Sequence, residues 1–148
     1  HFLGPLGKSV EDVEDMLYHK SGLLGVSGLS GDTRELLEND SEEAREAIDL
    51  FTLRIAGEVG RLASTLGGLD GLVFTAGIGE NQPEIRRRIA DQLLWLGVEL
   101  DGSANQNNAP TISTAASRVA LHVIATDEEQ MIAEECLSVF RAREHPAT

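Results

Sequence analysis

The residues Phe74-Thr75-Ala76-Gly77-Ile78-Gly79-Glu80-Asn81 carry the strongest chemical signal in the chain. Gly77 and Gly79 have no Cβ, so a ligand can approach the backbone closely and unusual dihedrals cost little. A helix predicted to begin directly behind them would aim its free N–H groups and positive dipole end at the same place. That arrangement suits a phosphate, or the sugar-phosphate end of a nucleotide. A tight strand-to-helix turn with no ligand is the plainer alternative. A Rossmann fingerprint would use Gly77 and Gly79 as its first glycines and Glu99 as its ribose acid, but Gln82 stands at its third glycine and Pro83 follows. A Walker A loop is excluded, since the Gly-Lys-Ser tripeptide at residues 7–9 has Phe2 where that pattern needs its first glycine.

Two further groups could do chemistry. Asp127-Glu128-Glu129 follows a second predicted strand, where ligands gather in open α/β sheets. Its carboxylates could hold Mg²⁺ directly or through water, or could simply cap a helix and complement its dipole. Asp32 and Arg34, beside Glu35, follow a glycine-rich segment. Arginine can stack on a purine or pair with phosphate, and aspartate can accept from ribose. A capped turn with a surface ion pair is the bland alternative. His19 and His122 lack metal-ligand spacing and are expected to be structural or surface residues. Arg86-Arg87-Arg88 is most simply the solvated face of a helix.

The elements that must position these residues follow from periodicity and capping. Ser9 to Asp12 starts a short helix with Val10, Val13 and Leu17 on one face. Four glycines between Ser21 and Asp32 argue against regular structure there. A long helix opened by Asp40, with Glu43 in capping-box register, carries Ala44, Ile48, Phe51, Ile55, Val59, Leu62 and Leu66 at intervals of three or four, and Gly67-Gly68 ends it. Asp70 to Thr75 is expected to be a short, largely buried strand. Asn81 caps the next helix, with Pro83 in its first turn, Glu84 in capping-box register and Ile85, Ile89, Leu93 and Leu96 as its stripe. Residues 101–117 are a loop and Val119 to Ala125 a second strand. Asp127 and Gln130 open a last helix whose Ile132, Cys136, Val139 and Phe140 face inward. The order implies a parallel βαβ unit, and the fold class is α/β.

The bulk numbers exclude several functions. Twelve basic residues against twenty-five acidic ones leave a formal charge of −13, which repels phosphate backbones and anionic lipid, so no nucleic-acid or membrane partner is expected. A nucleotide site must then be built from backbone and metal. Only six of the 148 residues are aromatic, so the core must be aliphatic. The single cysteine, Cys136, permits no internal disulfide and points to a reducing, cytoplasmic compartment. The opening His1-Phe2-Leu3, without an initiator Met, leads us to expect a fragment.

Together these segments resemble the acetate kinase (acetokinase) family. Ser21-Gly22-Leu23-Leu24-Gly25 leading to Ser30-Gly31-Asp32-Thr33-Arg34-Glu35 resembles the family's adenosine-side segment. Leu72 to Asn81 resembles its second adenosine motif, and Ala125-Thr126-Asp127-Glu128-Glu129 its C-terminal acidic motif. The likeness covers nearly the whole chain but only the C-terminal portion of the family's length. It implies a partial ribonuclease-H-like domain of the actin/hexokinase superfamily, with a parallel βαβ core flanked by helices. Residues 1–39 would form the helix and adenosine-side loop, and residues 40–148 the α-β-α-β-α core. The implied reaction is reversible transfer of the ATP γ-phosphate to acetate, giving acetyl phosphate and ADP with Mg²⁺ as cofactor. Propionate kinase is a near relative and butyrate kinase a more distant one.

By position, the resemblance implies that Asp32, Thr33 and Arg34 line the adenosine pocket. Gly77, Ile78, Gly79 and Asn81 would contact base, ribose or α-phosphate. Glu128 would organise Mg²⁺, with Glu129 as the second candidate. The family usually has glycine where this chain has Ala76. Its N-terminal part carries the phosphate hairpin and the acetate-binding groups, so no catalytic residue is expected here. The chain alone should bind nucleotide weakly without catalysing transfer, because half a cleft cannot position both reactants. Expected partners are that missing N-terminal part and a second copy, as a homodimer. The strand at 70–75 should also present an open edge.

Overall fold

The computed structural model describes residues 7–144, apart from the side chains of Glu128, Ser138 and residues 141–144. Its elements run α1 (Val10–His19), α2 (Gly22–Ser27), α3 (Thr33–Leu37), α4 (Glu42–Leu66), β1 (Gly71–Phe74), α5 (Ala76–Asn81), α6 (Pro83–Gln92), α7 (Gly102–Gln106), β2 (Ala120–Val123) and α8 (Glu128–Glu144). A 3-10 turn at Leu94–Leu96 follows α6.

The two strands pair in parallel, in the register Gly71 with Ala120 through Phe74 with Val123. They form a βαβ unit with α5 and α6 in the crossover. Against them lies an aliphatic core: Ile48 from α4, Ile85 and Ile89 from α6, then Leu93, Val98, Ile112, Val119 and Leu121, each at most 2% exposed. Of the stripe read for this helix, Ile85, Ile89 and Leu93 are buried, and Leu96, in the 3-10 turn beyond α6, is half-buried. Among the described residues β1 pairs with β2 alone, so its other edge is open. The far side of β2 is covered, because residues 110–114 return antiparallel beside it, with Ile112 N–H donating to the Leu121 carbonyl at 2.9 Å.

The long helix departs from expectation at both ends. Its N-cap is Ser41, whose Oγ accepts from the Ala44 N–H at 3.2 Å; Asp40 lies one residue too early. The stripe is buried or half-buried from Ala44 to Val59, but Leu62 and Leu66 are exposed. Twenty-five residues of helix run about 37 Å. Strands of four residues span only about 13 Å, so the last turns overhang the core.

Other expectations are corrected by packing. The glycine-rich stretch contains the helix α2, because Gly28 (φ 67°) sits at its end in the left-handed conformation that terminates helices. Residues 101–117 include α7, capped by Asp101, whose Oδ1 accepts from the Ala104 N–H. In α1 the Ser9–Asp12 capping box forms as read, yet Val10 and Leu17 are exposed. In α8 Asp127 accepts from the Gln130 N–H as expected, but Ile132, Cys136, Val139 and Phe140 are exposed rather than inward. No element among the described residues covers those faces.

Candidate functional site

The parallel strands end side by side, and the chain leaves both in one place. The Ile124 N–H donates to the Phe74 carbonyl at 3.0 Å. Glu80 Oε1 accepts from the backbone N–H and the hydroxyl of Thr126 at 3.0 and 3.1 Å. This links α5 to the segment leading into α8. The Thr126 N–H, chiefly, holds the Glu80 carboxyl below its ordinary pKa, because it favours the charged form.

Beside this junction opens a cleft of about 560 Å³, lined by Gly31, Asp32, Thr33 and Arg34 on one side and Gly77, Ile78, Asn81 and Gln82 on the other. Six of the seven nucleotide candidates read from sequence therefore converge on one cleft. Asp32 caps α3, accepting from the Arg34 N–H at 2.8 Å. Its Oδ2 also takes the Arg34 guanidinium at 2.6 Å. That guanidinium, with the backbone N–H second, pushes the Asp32 carboxyl below its usual pKa. Thr33 is buried, while the Arg34 side chain is 76% exposed at the cleft and held on Asp32 through Nε and Nη2.

The seventh candidate, Gly79, is not among the lining residues. A Cβ there would lie 3.0 Å from the Phe74 carbonyl carbon, so Gly79 lets α5 pack on β1. Asn81 does not cap the following helix. Its Nδ2 donates back to the Gly77 carbonyl at 3.0 Å and closes α5. The single helix expected behind the glycines is two, broken at Gln82, and Glu84 forms no capping box because Arg87 and Arg88 engage it. Ala76 enters α5 with φ 58°, in the left-handed region.

Arg86 is the residue that sequence reading misplaced. It is fully buried, and all five guanidinium donors are used. Nε donates to Asn105 Oδ1 at 2.7 Å, Nη1 to the Gly79 and Glu80 carbonyls at 2.7 and 3.0 Å, and Nη2 to the Asn105 carbonyl and Asn108 Oδ1 at 2.7 and 2.6 Å. Burial pushes its pKa down, since desolvation disfavours the charged form. Its neighbours Arg87 and Arg88 instead form ion pairs, Arg87 with Glu84 and Asp91 and Arg88 with Glu84 and Asp49. Helical phase was the available signal, because Arg86 adjoins Ile85 and lies three residues before Ile89.

At the acidic motif, Asp127 is engaged in capping, Glu129 is exposed, and the Glu128 side chain lies outside the described residues. Among the described residues no three His, Cys, Asp or Glu side chains converge as a ready metal site. His122 lies 3.2 Å from Thr111 Oγ1, and exposed His19 lies 3.4 Å from Asp15. The Rossmann alternative finds no support: Glu99 bonds Thr114 and does not line the cleft.

This is the α/β, ribonuclease-H-like architecture of the acetate and propionate kinases. A propionate kinase from Francisella tularensis superposes with a TM-score of 0.82 at 39% identity, over 90% of this chain and 35% of that one. Acetate kinase from Porphyromonas gingivalis gives 0.82 at 34% identity, over 94% of this chain and 36% of that one. The sequence profile of the acetokinase family matches residues 1–134, and the chain belongs to that family. Acetate kinase from Rhizobium meliloti is 52% identical over 136 residues, covering 92% of this chain and 35% of the relative. One from Rhodopseudomonas palustris strain TIE-1 is 55% identical over 127 residues, covering 84% and 32%. The chain thus spans about a third of the length of the curated relatives it matches. No described helix is long and apolar enough to cross a membrane.

Proposed function

We propose that this chain is the C-terminal, nucleotide-binding part of an acetate kinase, which reversibly transfers the ATP γ-phosphate to acetate to give acetyl phosphate and ADP. The observation that carries the reading is the cleft at which residues 31–34 meet Gly77, Ile78, Asn81 and Gln82. Asp32, Thr33 and Arg34 serve the adenosine side. Gly77, Ile78 and Asn81 offer backbone and amide groups to ribose and α-phosphate, while Gly79 sets their distance from β1.

Mg²⁺ takes one or two carboxylates and completes its shell with water and phosphate oxygens. The exposed carboxylates of Asp127 and Glu129 suit that chemistry, and Glu128 between them is the residue we assign to the ion. When bound, the ion offsets charge on the phosphates. The protein's own share is to hold the nucleotide in line, the larger part of phosphoryl-transfer catalysis. Acetate is bound by the remainder of the enzyme, so this chain alone binds nucleotide without transfer. The open edge of β1 supports association with that remainder or with a second copy as a homodimer. A cytoplasmic location accords with the single exposed free cysteine. Acyl preference between acetate and propionate is set outside this chain.

The test is an NMR titration of the 148-residue chain with Mg-ATP, with NADH as control. Amide shifts at Asp32–Arg34 and Gly77–Asn81 are expected with Mg-ATP alone. A response to NADH alone, or acetyl phosphate made by the pure chain, contradicts the proposal.

A further inference from the structure

We infer that Arg86 is a positioning residue for nucleotide: its buried guanidinium holds α5 in the conformation that presents Gly77, Ile78 and Asn81 to the cleft. The inference rests on the nucleotide reading above and adds a group that touches no ligand.

The argument starts from how little α5 has to hold itself. Six residues are too few for a helix to be stable alone. Its first residue, Ala76, sits at φ 58°, and its N-cap residue Thr75 makes no side-chain cap bond. External groups must therefore order it. Gly79 packs on Phe74 and Glu80 accepts from Thr126, which secures the side facing the strands. Arg86 secures the other end, because one Nη1 holds the carbonyls of Gly79 and Glu80 together.

The anchor itself is rigid. The remaining donors are fastened to Asn105 and Asn108, and Asn105 Nδ2 donates in turn to the Pro83 carbonyl at 2.8 Å. Asn105 is 1% exposed and belongs to α7, so the guanidinium ties α5 to α6 and α7 at once. Every acceptor on Arg86 is a carbonyl or an amide oxygen, never a carboxylate. A fixed fork is thus what the site demands, and a point charge cannot reach both sides of it.

Two variants of the 148-residue chain test this. Arg86→Lys keeps the charge and loses the fork. Asn108→Gly removes one acceptor at an exposed position whose φ of 49° glycine tolerates freely, and so preserves folding. Amide hydrogen exchange is read without ligand, and Mg-ATP affinity by NMR. In Asn108→Gly, exchange at Glu80–Gln82 should quicken about fivefold, the loss of one hydrogen bond. In Arg86→Lys it should quicken by about tenfold or more, with Mg-ATP affinity falling in parallel, as displaced binding groups require. Amides of α4 and the unfolding midpoint of Asn108→Gly should stay as in the parent, which separates local positioning from general destabilisation.

Unchanged exchange at Glu80–Gln82 in both variants overturns the inference. So does faster exchange with unchanged Mg-ATP affinity. If the parent chain itself ignores Mg-ATP, the nucleotide reading falls with this role. The exchange data then still decide whether Arg86 holds α5.

Discussion

Replacing Ala76 by glycine measures the strain stored where the chain turns out of β1. At φ 58° the Cβ of an L-residue crowds the following carbonyl oxygen, at a cost of about 1–2 kcal/mol. The side chain is exposed, so its methyl contributes little packing that could be lost. Glycine gives back part of the gain, because its freer unfolded chain costs about 0.4–1 kcal/mol. The net expectation is a stabilisation of about 0.5–1 kcal/mol, read as a rise in Tm of about 1–4 °C for a chain of this size. The converse substitution is Gly67→Ala. Gly67 ends α4 at φ 78°, and a Cβ there meets nothing within 4 Å, so only the dihedral term changes. It should lose about what Ala76→Gly gains. Thermal and urea unfolding of both variants, followed by circular dichroism, supplies the numbers. If Gly67→Ala is destabilised as expected while Ala76→Gly is neutral or worse, the claim that α5 begins under strain is refuted.

Two further expectations concern the same region. Gly79→Ala places a Cβ 3.0 Å from the Phe74 carbonyl carbon and 3.3 Å from its Cα, which only backbone movement can relieve. It should cost about 1–3 kcal/mol in urea unfolding and weaken Mg-ATP binding, and a fully stable variant would remove Gly79 from the packing account. Glu84 has its carboxyl pushed down from 4.5 to about 2, first by the Arg87 hydrogen bond and also by Arg88. A carboxyl depressed in the folded state contributes stability that is whole above pH 4.5 and fades as pH falls toward 2. Its side chain is 37% exposed, so solvent screening keeps the effect small. Glu84→Gln should flatten the stability curve across that window, and parallel curves for parent and variant would speak against the pair.

Much of the site is legible in the order of the residues alone. The glycines at 77 and 79, the acceptor at Asp32 and the acidic turn at 127–129 are local features, because caps and close turns depend on a few consecutive residues. The stripe Ile85, Ile89, Leu93 is equally legible, since periodicity records which face a helix will bury. Misreadings arise where a neighbour decides the outcome. Asn81 and Asp40 both suit an N-cap, yet Asn81 bonds Gly77 and Ser41 takes the cap of α4.

Sequence by itself therefore determined the α/β class, the parallel strand pair and the residue types offered to a nucleotide. Tertiary structure decided that residues 31–34 meet Gly77, Ile78, Asn81 and Gln82, that Arg86 is buried while Arg87 and Arg88 are not, and that the apolar faces of α1 and α8 stay open. The physical reason is range. Dihedral preference and capping act within a turn of chain, whereas burial and a five-bond guanidinium site exist only once distant segments have packed around them.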